Sequence, residues 1–456
     1  MSLFDQIYEK LPVALQNTVV SVFGAYWHWL RFGGDYSGFE EGYFSRDRYD
    51  KIQWEEYQQR VLSDLLKVCV YHIPYYARAW TEEQKTAALL GKLSELPLLE
   101  KNPIRANPFD FVRNDVKPFY KVTNYTSGST GTPIATIWTP EEIRDSLAVR
   151  EVRSANWAGV SFKLPRATFS GRMVEPDPNS KGPYYRFNSA EKQVYFSPFH
   201  LRPDTAHFYV DAINKHGIQW MTGYAVSYYL LAKFILEKGL EVPPIKAIIT
   251  TSEKLTDEMR KVMEQAYHCR TFEEYSTVEN ALFASECEHG RLHISPDVGI
   301  VEILRPDGSA CNPGEVGEVV TTSFRKYQPM IRYRIGDLAA WDSEPCPCGR
   351  SMPVIKEVVG RIEDVVFGPD GRQLVRFHGI FVNQPHVIEG QIIQEALDRI
   401  HVVVVPTEGF SVKDEEDIIR RVQRRMGSEV NVSVACVSEI KRTKAGKFKS
   451  VISKIS

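Results

Sequence analysis

The run Thr126-Ser127-Gly128-Ser129-Thr130-Gly131-Thr132-Pro133 sets five hydroxyl side chains and two glycines within eight residues, directly after the apolar-polar alternation of Tyr120 to Tyr125. Glycine leaves no Cβ between the backbone N–H groups and an anion, and hydroxyls add donors around the same centre, so the chemistry on offer is the gripping of a triphosphate. It is not a Walker A loop, because no Gly-Lys-Ser/Thr closes it. An ordinary Ser/Gly turn has the same composition, and the loop alone does not separate the two. A second group is Cys346 and Cys348, close enough to share a metal ion, while Cys69, Cys269, Cys311 and Cys436 stand isolated. A third is the stretch 441–454, with six basic residues and no acid. That stretch is either a solvated tail or a source of positive charge for an anionic reaction centre.

The bulk composition narrows the partners. Lys and Arg total 56 against 58 Asp and Glu, and this balance argues against a nucleic acid or other polyanion. The 456 residues are 43% hydrophobic, enough for a large core and at least two domains. No stretch approaches the roughly 20 apolar residues needed to span a bilayer, and the N-terminus has no signal-like order of regions. The segment Val19 to Leu30 (VVSVFGAYWHWL) is apolar and aromatic enough for a membrane surface, yet short and interrupted, and it reads as a buried helix. Seven cysteines spread over a long chain indicate reduced thiols rather than a secreted disulfide scaffold. The expectation is a cytoplasmic protein whose partners are small molecules.

The loop YTSGSTGTP resembles the signature loop of the superfamily that unites acyl-CoA synthetases, peptide-synthetase adenylation domains and luciferases, and further motifs follow in the family's order. Thr251-Ser252-Glu253 resembles the adenine-side loop, and Glu274-Tyr275-Ser276-Thr277-Val278-Glu279 is similar to the Tyr-Gly-x-Ser/Thr-Glu motif. Arg332-Tyr333-Arg334-Ile335-Gly336-Asp337 is similar to Tyr-Arg-x-x-Asp, Gly360-Arg361-Ile362-Glu363-Asp364 to the hinge, and Thr443-Lys444-Ala445-Gly446-Lys447 to the C-terminal Gly-Lys. Any one of these acids or tyrosines is more simply a solvated acid or a core side chain. In series over more than 300 residues, they are hard to explain by chance.

The resemblance implies a role for each. Thr126, Ser127, Gly128, Ser129, Thr130, Gly131 and Thr132 would hold the phosphates of ATP, with Ser252, Glu253, Glu274, Tyr275, Ser276 and Arg361 around the nucleotide. Asp337 would accept both ribose hydroxyls, which suits a two-oxygen carboxylate. Glu279 would offer a hard oxygen to Mg²⁺, and Tyr275 would stack near adenine or line the acyl pocket. Lys447 would swing in to stabilise charge as a carboxylate attacks the α-phosphorus. The hinge carboxylate falls on Glu363, with Asp364 beside it.

Within the superfamily the chain resembles the phenylacetate-CoA ligase and coenzyme F390 synthetase group, especially the CapK-type branch found with polysaccharide biosynthesis. The Pro/Tyr-rich segment HIPYYARAW and the arrangement Cys287-x5-His293 with Cys346-Pro347-Cys348 carry this likeness. Three thiolates and one imidazole make a closed tetrahedral set for structural zinc. His289 is the competing imidazole, and the spacing in related proteins favours His293. Unmetallated thiols are the simpler alternative. The chain departs from acyl-CoA ligases after the hinge, where Val366 to Arg372 reads as a β-turn at Pro369-Asp370-Gly371 instead of a pantetheine-tunnel loop, and Ser276 stands where the family has Gly.

These residues need a scaffold. Helical spacing dominates residues 1–111, a helical cap that includes Tyr57 to Val70. Between Lys121 and Arg361, β-branched runs such as Ala247 to Thr251 alternate with helical stretches such as Val226 to Lys238, which predicts layered α/β structure. Beyond Arg361, His401 to Val405, Asp414 to Met426 and Val430 to Val437 predict a strand-helix-strand order. The predicted fold is therefore α/β: a large layered α/β domain with its cap over 1–360, and a small mobile α+β domain over 361–456. Weaker pocket candidates are Ser197-Pro198-Phe199-His200 with Trp220 and Tyr224, and Ser170-Gly171-Arg172 against an acidic substrate. The expected activity is ATP-dependent, AMP-forming ligation of a carboxylic acid to a thiol, with CoA as one acceptor. An amide ligase acting on a sugar acid or amino acid without CoA, and a nucleotide-binding protein without turnover, are the alternatives.

Overall fold

The computed structural model describes residues 8, 11–126, 134–172, 174–175, 177, 180–361, 366–369, 373–374, 380–381, 384–442 and 448–455. The protein is α/β, with helices first. Their starts are written locally: Asp50 with Gln53 and Thr81 with Gln84 form reciprocal capping boxes that begin helices Lys51–His72 and Glu82–Leu89. Leu62, Leu65, Leu66 and Cys69 of the longer helix recur at helical spacing and pack into one core with Tyr76, Ile104, Phe111 and strand residues of the large sheet.

That sheet has twelve strands, in the order Gly299–Leu304, Val316–Ser323, Tyr333–Trp341, Val354–Arg361, Leu292–Ile294, Phe283–Glu286, Arg270–Ser276, Ala247–Thr251, Trp220–Tyr224, Arg166–Phe169, Gln193–Phe196, Tyr185–Asn188. The strands from Gln193–Phe196 through Arg166–Phe169, Trp220–Tyr224 and Ala247–Thr251 to Arg270–Ser276 pair in parallel. Parallel strands are covered on both faces and read as apolar runs. Helix Ala225–Lys238 is correspondingly apolar nearly all round, and Gly239 in the left-handed region (φ +62°) ends it. A Cβ on Gly223 would sit 1.9 Å from the Phe169 carbonyl oxygen, so only glycine allows these two strand ends to close up.

Helix Val13–Phe32 covers the free edge of the last strand, Tyr185–Asn188. Asn17 Oδ1 accepts the Phe187 N–H at 3.0 Å, Ser21 Oγ accepts that of Ser189 at 3.0 Å, and a Cβ on Gly24 would collide with Asn188. The polar side of the helix thus faces inward. Leu30 is buried, but Val22 is 68% and Trp29 63% exposed, so the expectation of a buried Val19 to Leu30 segment is corrected. The edge strand needs hydrogen-bond partners, and the helix spends its polar residues there. Among the described residues no helix is long and apolar enough to cross a membrane.

A separate four-stranded sheet follows, ordered Asn431–Cys436, Arg399–Pro406, Val387–Ala396, Val451–Ser453, with helix Val412–Met426 on one face. Ile392, Ile400, Val402, Val404, Ile418 and Val422 form its own core. Between the sheets, Val366–Phe367 and Gln373–Leu374 pair as a hairpin.

Candidate functional site

In an open parallel sheet the strands' carboxyl ends form the natural crevice, and a cavity of about 710 Å³ lies there. Strand Ala247–Thr251 runs out into Ser252 and Glu253, with Ser252 in the left-handed region (φ +69°). Strand Arg270–Ser276 carries Glu274, Tyr275 and Ser276, and the turn after it carries Glu279. Asp337 comes from Tyr333–Trp341, opposite Arg361 in the ladder. Ser252, Glu253, Glu274, Tyr275, Ser276, Glu279, Asp337 and Thr126 all line this one cavity.

Their contacts refine the expected roles. The Tyr275 hydroxyl donates to Asp337 Oδ2 at 2.7 Å, so this tyrosine orients the acid rather than acting only as a ring. The Tyr333 hydroxyl donates to Glu279 Oε1 at 3.0 Å, inside a site where Glu279 and Asp337 are both buried. Arg150 pairs with the Glu274 carboxylate at 2.9 Å, and Ser276 Oγ reaches the same carboxylate at 3.3 Å. Glu274 is therefore tied to a guanidinium as well as lining the cavity. Thr126 closes the base of its loop, its Oγ accepting the Ile134 N–H at 2.9 Å and its N–H donating to the Ile134 carbonyl at 3.0 Å. Burial, with the Glu286 charge beside it, pushes the cavity-lining Glu273 up to about 7, against the opposing pull of Arg260 and Lys254.

The far wall of the cavity comes from the small lobe: Phe381, Val387 to Gly390 and Phe448 to Val451. Glu253 joins the lobes, accepting the Val226 N–H on Oε2 and the Phe448 N–H on Oε1, each at 2.9 Å. Ile388 and Phe448 also pack on the large lobe's core. Ser127, Gly128, Ser129, Thr130, Gly131, Thr132, Glu363, Asp364 and Lys447 lie outside the described residues, and Arg361 is described in its backbone alone.

Arg150 was not legible as a site residue. It begins a π-helical turn, Arg150–Ala155, that continues helix Pro140–Val149, and nothing in its neighbours' types marks such a turn. Tyr333 had a signal: it stands four residues before Asp337 on one strand, hence on the same face. A second cavity of about 610 Å³ shares Asn124, Trp138, Arg150, Thr251 and Ser252 with the first and extends to Arg172, Tyr195 and Tyr224. Arg172 stands over the Tyr195 ring at 4.4 Å, and burial beside Glu253 pushes the Tyr224 phenol up to about 12. Of the other pocket candidates, Trp220 is fully buried against Phe162, Ser197 and His200 are buried and bond each other at 2.9 Å, and Pro198 and Phe199 are half-buried.

Some distance along the sheet, Cys287, His293, Cys346 and Cys348 bring their ligand atoms within 4.8 Å of one another. A hairpin turning at Gly290 carries the first two, and pairing of His293 with Val354 brings the Cys346–Cys348 turn against them. Cys287 and Cys346 sulfurs are 3.6 Å apart, and Cys348 Sγ is 3.4 Å from His293 Nε2. Tetrahedral zinc with bonds near 2.3 and 2.1 Å sets its ligand atoms about 3.5 to 3.8 Å apart, and the Cys287–Cys346 and Cys348–His293 separations lie close to that spacing. Nδ1 of His293 faces the Met352 carbonyl at 3.2 Å, which leaves Nε2 toward the thiols. His289 contributes a backbone N–H to Cys287 Sγ at 3.4 Å. Burial lowers His293 to about 4 and raises Cys346 to about 12. Burial would raise Cys348 too, but hydrogen bonds from Arg350 outweigh it and bring that thiol below its ordinary value.

Residues 369–454 match the family model described as the CapK C-terminal domain. Over 99% of this chain and 100% of the relative, the chain is 25% identical to Protein CapK of Staphylococcus aureus. A solved 2-hydroxyisobutyryl-CoA ligase, in the postadenylation state with R3-HIB-AMP, shares the fold at TM-score 0.67 and 19% identity, over 90% of this chain and 91% of that one. The chain therefore resembles Protein CapK over its whole length and shares the fold of a ligase solved with an acyl-adenylate, as the order of its motifs implied. The chain is also 24% identical to the phenylacetate-coenzyme A ligase of Thermus thermophilus, over 49% of itself and 57% of that relative.

Proposed function

We propose that this chain is an AMP-forming ligase that activates a carboxylic acid with ATP and passes the acyl group to a thiol. The observation that carries the reading is the convergence of Glu253, Glu274, Tyr275, Glu279 and Asp337 on one cavity whose opposite wall, Phe448 to Val451, directly follows residues 443–447. Asp337, held by Tyr275, would take the ribose hydroxyls. The loop from Thr126 would hold the phosphates, and Ser252, Glu253 and Arg361 would flank the nucleotide. Glu279, a buried hard-oxygen donor steadied by Tyr333, suits Mg²⁺, which supplies charge neutralisation on the triphosphate when bound.

In the first step a carboxylate oxygen of the acid attacks the α-phosphorus, the bond to the β-phosphate breaks, and pyrophosphate leaves with the electron pair. Lys447 would stabilise the charge gathered there. In the second, a thiol sulfur bonds to the acyl carbon and AMP leaves, with the thiol proton passing to solvent. The small domain, from 361 onward, would turn about Glu363 and Asp364 between the steps. We assign Cys287, His293, Cys346 and Cys348 a structural zinc, because four protein ligands leave no open position for water.

One feature favours an amine as acceptor: Val366–Phe367 and Gln373–Leu374 form a hairpin where CoA ligases place a Gly-bearing tunnel loop. Pyrophosphate release with a panel of acids tests the activation step. CoA and then amines added to the same mixture separate the acceptors. No acid-dependent pyrophosphate release with any acid would reduce the chain to a nucleotide binder.

A further inference from the structure

Helix Val13–Phe32 turns its polar residues Asn17 and Ser21 to the sheet edge, while Leu15, Val22, Phe23, Tyr26 and Trp29 face out. Leu15, Val22, Tyr26 and Trp29 recur at three- to seven-residue intervals along one exposed side, with Phe23 beside them 55% exposed. Helical spacing makes them a single stripe about 20 Å long. A second segment extends the stripe. Tyr120 meets Tyr26 edge to face at 6.3 Å, and the neighbouring Phe119 is fully exposed.

Such a surface is costly in water unless something covers it. Its charge indicates what does. The helix Val13–Phe32 and the segment 116–125 contain no acid, and Lys117 and Lys121 stand exposed among the aromatics of the second segment. Trp, Tyr and Phe flanked by lysines match the boundary between headgroups and acyl chains, where aromatic rings settle and lysines meet anionic lipid. A water-soluble partner protein would match the apolar stripe equally well but gives no reason for the acid-free, lysine-rimmed composition. The patch is also continuous with the second cavity, since Phe23 and Trp27 of the same helix line it.

We propose that this face docks the large lobe on an anionic lipid leaflet, lying on its surface without crossing it, with the second cavity opening beside the lipid. The proposal stands independently of the ligation chemistry. Co-sedimentation of the full chain with vesicles of phosphatidylcholine, with and without phosphatidylglycerol, tests it. Binding should appear with the anionic lipid and fall at least about tenfold in the triple variant Val22→Ser, Trp29→Ser, Phe119→Ser. In Lys117→Gln, Lys121→Gln it should fall by about tenfold on anionic vesicles alone. These side chains are exposed, so melting temperatures should match wild type. If the triple variant does not fold, Val22→Glu tests the same contact. Absence of wild-type binding to anionic vesicles, or unchanged binding by the triple variant, would overturn the proposal. So would a wild-type dimer that the triple variant dissociates while neither form binds vesicles, because a second copy would then be the cover.

Discussion

Glu253 Oε1 accepts the backbone N–H of Phe448 at 2.9 Å, so one carboxylate of the large lobe holds the small lobe at the residue that follows 443–447. The other oxygen of the same carboxylate holds the first turn of helix Ala225–Lys238 through Val226. A charged acceptor contributes about 1.5 to 3 kcal/mol per hydrogen bond. Glu253→Ala should therefore slow acyl-AMP formation by about tenfold or more while the large lobe keeps its melting temperature within a few degrees. Glu253→Gln, which retains one acceptor oxygen, should fall between. Single-turnover pyrophosphate release is the measurement, and a wild-type rate in Glu253→Ala would make the contact incidental to the reaction.

Asp337→Ala should weaken ATP binding by about 1.5 to 3 kcal/mol for each charge-assisted bond lost. Tyr275→Phe removes the hydroxyl that orients Asp337 and should raise the KM for ATP several-fold with a smaller change in kcat. Calorimetric titration with ATP measures the first variant, and steady-state pyrophosphate release over a range of ATP concentrations measures the second. Unchanged affinity in Asp337→Ala would make this acid a structural partner of Tyr275 and nothing more.

Lys447→Ala should cut acyl-AMP formation by on the order of a hundredfold, with ATP affinity nearly kept, because the charge acts only in the transition state. Pyrophosphate release at the wild-type rate would remove Lys447 from the mechanism.

Elemental analysis should find one zinc per chain, with sulfur distances near 2.3 Å and a nitrogen distance near 2.1 Å by X-ray absorption. Chelation or Cys348→Ser should lower the melting temperature first, with activity falling as a consequence, since ligand loss removes folding free energy. Metal-free protein of unchanged stability would leave the four residues as neighbouring thiols and an imidazole.

The chain's own order of residues determined a good deal. Glu274-Tyr275 with Glu279 and, much later, Asp337 could be read as one site because their order resembles that of a known family, whereas each acid alone is more simply a solvated one. The α/β alternation and the helical start could be read because periodicity and capping are local: Asp50 and Gln53 cap a helix whatever packs on it. The grouping of Cys287, His293, Cys346 and Cys348 was implied by the family resemblance together with the ligand chemistry of thiols and imidazole, and the resemblance also favoured His293 over His289.

The tertiary structure decided what depends on partners distant in sequence. That Tyr275 orients Asp337, that Arg150 neutralises Glu274, and that Glu253 bridges to Phe448 follow from strand register and lobe contact, which no local pattern encodes. Trp220 and His200 looked like pocket residues because aromatic and imidazole groups serve packing and recognition alike, and only burial separates the two. Val19 to Leu30 makes the same point from the other side. An apolar helix is expected to bury its apolar face, but here the strand edge at Phe187 and Ser189 required hydrogen-bond acceptors, so Asn17 and Ser21 turned inward and Val22 and Trp29 were left facing outward.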